Sequence, residues 1–296
     1  MFILDTAETM KGVLSKKNKR IPHLQGKSVI MLFFEESTRT KMSYKLAAQY
    51  LSADVADLQL PPDADEVGGL VNIGKMIEQM GADYIVIRHW AAGSARVLAE
   101  NISASVINAG DGKNENPSQA LLDLMTINEA KVKAEGKKFS DLKVTIVGDI
   151  ANSRAGKSNI LGLTTLGAEV SVCAPPTLVP PFIGSCRGVK VYHDVNKAVK
   201  DSDVIISLRL GKEEQYEKLL PSFNEYSRFF MISESVLQNA KPDAIVLHPP
   251  GKIDADTVLS ANVFNLQRCL VDDQISNGIA VRMALYYLLS LAGGDS

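Results

Sequence analysis

Val29-Ile30-Met31-Leu32-Phe33-Phe34 runs without a polar break into Glu35-Glu36-Ser37-Thr38-Arg39-Thr40. A short, continuous apolar run of this kind suits a strand buried on both faces, the habit of parallel sheets. The segment after it, Thr40 to Leu51, puts Tyr44, Ala47, Ala48 and Leu51 on one helical side. A buried strand turning directly into an amphipathic helix is half of a strand-helix-strand unit, and the chain repeats the pattern. Apolar runs recur at Tyr84 to Ile87, Val106-Ile107, Val144 to Val147, Val170 to Cys173, Val204 to Leu208 and Ile245 to Leu247. Between them, Leu70, Ile73, Ile77 and Met80 recur at three- and four-residue steps and are expected to line one helix face. The fold expected is α/β, with two doubly wound parallel-sheet domains, four strands in the first and four or five in the second. The polar run from Lys131 to Asp141 marks the boundary, giving domains of 1–130 and 131–273. Residues 274–296 carry a carboxy-terminal helix, Ile275 to Leu291, that packs back on the first domain.

Length agrees with two domains, at roughly 150 residues each for a chain of 296. Hydrophobic residues at 46% and charged residues at 22% supply an ordinary globular core. The 32 basic and 34 acidic side chains leave a formal charge of −2, so a dedicated nucleic-acid binder is disfavoured. No stretch approaches the roughly 18 to 20 apolar residues of a membrane span. Met1-Phe2-Ile3-Leu4-Asp5 lacks the basic-then-apolar order of a signal peptide. A soluble cytoplasmic protein is expected, without membrane or nucleic acid as partner. The cysteines (Cys173, Cys186, Cys269) and histidines (His23, His89, His193, His248) are scattered, so neither a disulfide framework nor a metal site is expected.

Several strand ends carry groups suited to anions. At Ser37 to Thr40 a helix start offers unpaired N–H groups, and the hydroxyls and Arg39 add donors, a set that fits phosphate. A plain helix cap beside an exposed arginine accounts for the same residues equally well. Asn116-Pro117-Ser118-Gln119 is a competent helix start on local grounds alone. Gly156-Lys157-Ser158 suggests a P-loop, but Ala151 stands where its first glycine belongs, and no G-x-G-x-x-G occurs in either loop. Arg88, Arg154 and Arg209 each follow an apolar run directly, where open α/β sheets place ligands.

Together these segments resemble a known family. Phe33-Phe34-Glu35-Glu36-Ser37-Thr38-Arg39-Thr40-Lys41-Met42-Ser43-Tyr44 looks like the carbamoyl-phosphate signature of the aspartate and ornithine carbamoyltransferases. Asn108 to Ile127, Gly148 to Val170 and Gln274-Ile275-Ser276-Asn277-Gly278-Ile279-Ala280-Val281-Arg282 resemble the aspartate branch. The resemblance implies a carbamoyl-phosphate domain, an amino-acid domain and a catalytic homotrimer with active sites between subunits. It implies that Ser37, Thr38, Arg39 and Thr40 hold the phosphate. Thr40 and Arg88 would polarise the carbamoyl carbonyl, with Asn116 beside them, and Gln119 and backbone around Pro249-Pro250 would receive the amide. Arg154 and Arg209 would clamp the carboxylates of aspartate. No metal or cofactor is implied, and a dihydroorotase or regulatory chain is a further partner of the kind the family uses.

The chain also departs from the family pattern. Asn116 replaces a histidine, Glu66 falls where a lysine reaches a neighbouring subunit's site, and Gly211 replaces a glutamine that assists aspartate. His248-Pro249-Pro250-Gly251 differs from His-Pro-x-Pro, and Glu36 replaces a proline. Three readings follow: an aspartate carbamoyltransferase of pyrimidine biosynthesis, a catalytically impaired homologue kept as a structural or regulatory subunit, and a carbamoyltransferase with another acceptor. The arginine pair favours a dicarboxylate acceptor over ornithine.

Overall fold

The computed structural model describes residues 1–59, 67–185, 188–211, 216, 218–249 and 258–292. They form two compact units, Met1–Leu122 with Ser276–Ser296, and Asp123–Ile275.

The first unit opens with α1 (Phe2–Leu14) and continues through β1 (Ser28–Phe33), α2 (Thr38–Tyr50), β2 (Asp54–Leu58) and α3 (Val67–Gln79). It then runs through β3 (Tyr84–His89), α4 (Ser94–Ala99), β4 (Ser105–Asp111) and the start of α5 (Pro117–Ile127). Its sheet has the order β2-β1-β3-β4, every pair parallel. Helices cover both faces. On one, Leu70 and Ile77 of α3 pack with Leu32, Ile85, Ile87, Ala95 and Leu98; Met80, expected on that face, lies beyond the helix end and is exposed.

The second unit contains β5 (Lys143–Val147), α6 (Arg154–Thr165), β6 (Glu169–Cys173), β7 (Lys190–Tyr192) and α7 (Val195–Ala198). There follow β8 (Val204–Ser207), α8 (Phe223–Phe230), α9 (Glu234–Leu237), β9 (Ile245–Leu247) and α10 (Ala261–Phe264). The strand order is β7-β6-β5-β8-β9, again wholly parallel. The α/β architecture of two doubly wound parallel sheets is therefore as the sequence implies.

The closing helix, α11 (Val271–Ala292), begins in the second unit and ends in the first. By length and mean hydropathy it is apolar enough to cross a membrane, contrary to the expectation from sequence. Its apolar residues are instead core: Ala280, Val281, Met283, Ala284 and Tyr286 are buried. Tyr286 meets Tyr44 and Tyr84 edge-on, with ring centroids 6.3 and 5.8 Å apart. Arg282 lies over the Tyr44 ring at 4.7 Å and donates from Nη1 to the Gly278 carbonyl at 2.8 Å. The helix thus packs on the first unit.

Charge is concentrated at the amino-terminal edge of the second sheet. Lys131, part of the polar run in the sequence, is buried, and its Nζ meets Glu135 at 2.6 Å and Asp243 at 2.9 Å. The hydrogen bond from Lys131 holds the Asp243 carboxyl down to about 2. Burial alone would raise the carboxyl of Asp203, which just precedes β8. Bonds from the Lys143 N–H, Lys241 and Lys137 outweigh that and hold it low.

Candidate active site

A doubly wound sheet has one place where the chain, having built outward from its first strand, crosses to build on the other side. Loops diverge there and leave a crevice at the carboxyl ends of the strands. The strand orders put this switch point between β1 and β3 in the first sheet and between β5 and β8 in the second. Each arginine singled out from the sequence emerges at one of them.

In the first unit Phe33 pairs in register with Arg88, and the Phe34 N–H donates to the Arg88 carbonyl at 2.9 Å. Ser37 caps α2 through backbone geometry alone, making no side-chain cap bond. The Lys41 N–H donates to the Ser37 carbonyl at 2.9 Å, leaving the N–H groups of Thr38, Arg39 and Thr40 ahead of the first helical bond. Thr38 and Arg39 are exposed, while Ser37 and Thr40 are half-buried. The side chain of Arg88 is strung between the loop after β1 and strand β4: Nε is 3.1 Å from Glu35 Oε2, and Nη1 donates to the Ala109 carbonyl at 3.3 Å. An anion bound at the α2 start would compete with Glu35 for this guanidinium. Sequence reasoning had no means of finding that partner, because pairing follows from the register.

The end of β4 is organised by Asp111, which is buried. It accepts from Asn108 Nδ2 (2.8 Å), Asn114 Nδ2 (2.9 Å), the Gly93 N–H (2.6 Å) and the Glu115 N–H (3.2 Å). Burial would raise its carboxyl, and these donors hold it below the usual range. Gly112 has φ +50°, and a Cβ there would lie 2.7 Å from the Trp90 carbonyl oxygen, so only glycine closes this turn. The turn leads to Asn116, whose carbonyl accepts from the Gln119 and Ala120 N–H groups at 3.1 and 3.3 Å. Asn116 and Gln119 are half-buried at the same sheet edge as Arg88.

In the second unit the Leu208 N–H donates to the Val147 carbonyl at 2.7 Å, which draws the ends of β5 and β8 together. Gly148 has φ +132°, and a Cβ on it would meet Leu208 Cβ at 2.7 Å; one on Gly156 would meet Leu208 Cδ1 at 2.7 Å. The glycine of the rejected P-loop match therefore makes room for a leucine rather than a phosphate. Ser153 Oγ accepts from the Gly156 N–H at 3.0 Å and caps α6, so that Arg154 is its first residue. Arg209 follows Leu208 directly, and both arginines are half-buried.

His248 is fully buried at the end of β9. Its N–H donates to Gln274 Oε1 (3.1 Å), and Gln274 Nε2 in turn donates to Asp123 Oδ1 (2.6 Å). Burial, aided by the charge of Arg209, pushes its imidazole from 6.5 down to about 4. The folded state therefore refuses a proton that the unfolded state accepts, so stability falls as pH drops below 6.5 and the loss is complete near pH 4. By pH 5 we expect a loss of about 2 kcal/mol. Urea unfolding at pH 8, 6.5 and 5 measures it, and His248→Asn should flatten the profile above pH 5.

Pro249 is half-buried; Pro250, Gly251 and Glu66 lie outside the described residues. Cys173 and Cys269 are free, and burial pushes their thiols up to about 12 and about 11, so neither is poised as a nucleophile. Cys186 lies outside the described residues. Among the described residues no group of three His, Cys, Asp or Glu side chains is placed to hold a metal.

Comparison with known proteins agrees with this geometry. Residues 1–129 match the "Aspartate/ornithine carbamoyltransferase, carbamoyl-P binding domain" and residues 140–289 the "Asp/Orn binding domain". The chain belongs to the aspartate/ornithine carbamoyltransferase family. Among curated members, the aspartate carbamoyltransferase catalytic subunit of Acetivibrio thermocellus is 51% identical over 290 residues, covering 98% of this chain and 91% of that protein. The corresponding subunit of Ruminiclostridium cellulolyticum is 47% identical, covering 99% and 91%. Ornithine carbamoyltransferase from Pyrococcus furiosus superposes with a TM-score of 0.83 at 26% identity, covering 96% and 91%. Aspartate transcarbamoylase from Trypanosoma cruzi, in complex with carbamoyl phosphate and aspartate, has a TM-score of 0.81 at 24% identity, covering 96% and 91%, and shares the fold. Asn116 offers an amide, which can donate hydrogen bonds but cannot become a cation.

Proposed function

We propose that the protein transfers the carbamoyl group of carbamoyl phosphate to the amine of L-aspartate, the first role expected from its sequence. Residues 1–130 take the carbamoyl phosphate, 131–273 take the aspartate, and 274–296 return to the first domain; the working assembly is a cytoplasmic homotrimer. The phosphate sits on Ser37, Thr38, Arg39 and Thr40. Thr40 and Arg88 face the carbonyl oxygen, with Asn116 adding one donor, and Gln119 and backbone at Pro249-Pro250 receive the amide. Arg154 and Arg209 take the two carboxylates of aspartate. The amine lone pair forms the new N–C bond, the C–O bond to phosphate breaks with its electrons going to phosphate, and the departing phosphate takes the proton the amine loses. Positioning, and donors aimed at the developing oxyanion, lower the barrier.

The observation that carries the reading is the arginine pair at the second switch point, two planar cations suited to a dicarboxylate. Formation of carbamoyl-aspartate by the purified protein tests it, with ornithine as the control acceptor. Turnover of ornithine in preference to aspartate would refute it. A second reading, a slow or inactive homologue, is favoured by Asn116. Under that reading Asn116→His raises kcat at least tenfold. A wild-type rate matching the curated relatives, with no gain in the variant, would exclude it.

A further inference from the structure

The two arginine-bearing loops of the second unit are joined by a side chain that belongs to neither strand end. Tyr216 is buried, 5% exposed, with its ring against Phe223 at 5.6 Å. Its hydroxyl accepts from the Gly211 N–H at 2.9 Å and donates to Asp149 Oδ2 at 2.7 Å. Gly211 is two residues beyond Arg209. Asp149, itself 1% exposed, receives the Asn152 N–H on Oδ1 at 2.9 Å, and Asn152 Nδ2 reaches both its oxygens at 3.1 and 2.9 Å. The Ser153 N–H donates to the Asp149 carbonyl at 3.1 Å, which sets the cap from which Arg154 emerges. One hydroxyl thus links the backbone beside Arg209 to the carboxylate that shapes the turn before Arg154.

We propose that Tyr216 is a positioning residue for the acceptor, fixing the separation of the Arg154 and Arg209 guanidiniums and with it the length of dicarboxylate they accept. The proposal rests on the reading of these arginines as carboxylate clamps. Burial, reinforced by Asp149, pushes the phenol well above its ordinary value, so the hydroxyl remains a donor throughout the physiological range. Its donated bond ends on a charged oxygen, the stronger class of hydrogen bond. Gly211 presents no side chain of its own, so on this side the Arg209 loop is tied through its backbone N–H.

Tyr216→Phe keeps the ring and removes only the link. Calorimetry with succinate, a four-carbon dicarboxylate lacking the amine, reads the site without turnover, in saturating carbamoyl phosphate. We expect about tenfold weaker succinate binding, a smaller preference for succinate over five-carbon glutarate, and carbamoyl-phosphate affinity within twofold of wild type. Asp149→Asn should produce the same selective pattern, and the double variant should be no weaker than the worse single one. Unchanged succinate affinity would overturn the proposal, as would equal losses for both ligands with a lowered unfolding midpoint. Arg209→Ala separates the two ideas. If it leaves succinate binding intact, the clamp reading itself fails; if it weakens binding while Tyr216→Phe does not, only the role of Tyr216 fails.

Discussion

Arg88→Ala should lower carbamoyl-aspartate formation by about 10²- to 10³-fold, the usual cost of removing one donor aimed at a developing oxyanion. Arg88 is the residue at the first switch point whose guanidinium is already desolvated, with its side chain 15% exposed. It is aimed by two partners from different elements, Glu35 in the loop after β1 and the Ala109 carbonyl in β4. Such preorganisation costs nothing at the moment of reaction, which is why its loss should appear in kcat more than in KM. Arg88→Lys should fall between, since a point charge cannot hold two partners in one plane. Steady-state kinetics with carbamoyl phosphate varied at saturating aspartate make the measurement. A drop confined to the KM of carbamoyl phosphate would mean that Arg88 only binds.

Lys131→Ala should cost about 3 kcal/mol of stability while leaving kcat and both KM values within twofold. The ammonium is buried between Glu135 and Asp243, so truncation leaves a void and removes one of the two countercharges of these carboxylates, Lys137 remaining at 2.7 and 3.5 Å. Those carboxylates are partly exposed, which keeps the loss toward the low end for a broken buried pair. Lys131→Met restores most of the volume and should recover part of it. Activity should survive because the cluster of Lys131, Asp203 and Asp243 lies at the amino-terminal edge of the second sheet, and Arg154 and Arg209 at the carboxyl edge. Urea unfolding and the acceptor assay, run on the same preparations, test both halves of the statement.

The strands most legible in the sequence are the central ones, buried on both faces. Val29 to Phe34, Val144 to Val147 and Val204 to Leu208 form central strands, and a continuous apolar run identifies each. Of the four edge strands, β4 and β9 still show short apolar runs, at Val106-Ile107 and Ile245 to Leu247, whereas β2 and β7 show none. Asp54–Leu58 has acids at both Asp54 and Asp57, and Lys190–Tyr192 opens on a lysine; neither strand has a buried residue, so neither needs a continuous apolar run. Site residues were legible when they followed a buried strand directly, as Arg88, Arg154 and Arg209 do. Which arginine belongs with which depends on strand order, since Arg154 and Arg209 are neighbours only because β5 lies beside β8. Tyr216 and Glu35 gave no signal: each acts through a partner that only the folded register supplies. Lys131 misleads for a related reason, being polar in composition and buried in fact.

The path of α11 has a consequence for how the molecule is made. The first unit is discontinuous, with its last segment, Ser276–Ser296, separated from Leu122 by the whole of Asp123–Ile275. Tyr44 and Tyr84 therefore have no Tyr286 to pack against until the whole of Asp123–Ile275 has been made. At 5 to 20 residues per second that interval is roughly 8 to 30 s. The second unit has all its strands before the first unit has its final helix, so synthesis favours completing the later half of the chain first. A chain emerged only as far as residue 275 would hold the second unit with its sheet complete, and the first with the core around Tyr44 and Tyr84 still open to water.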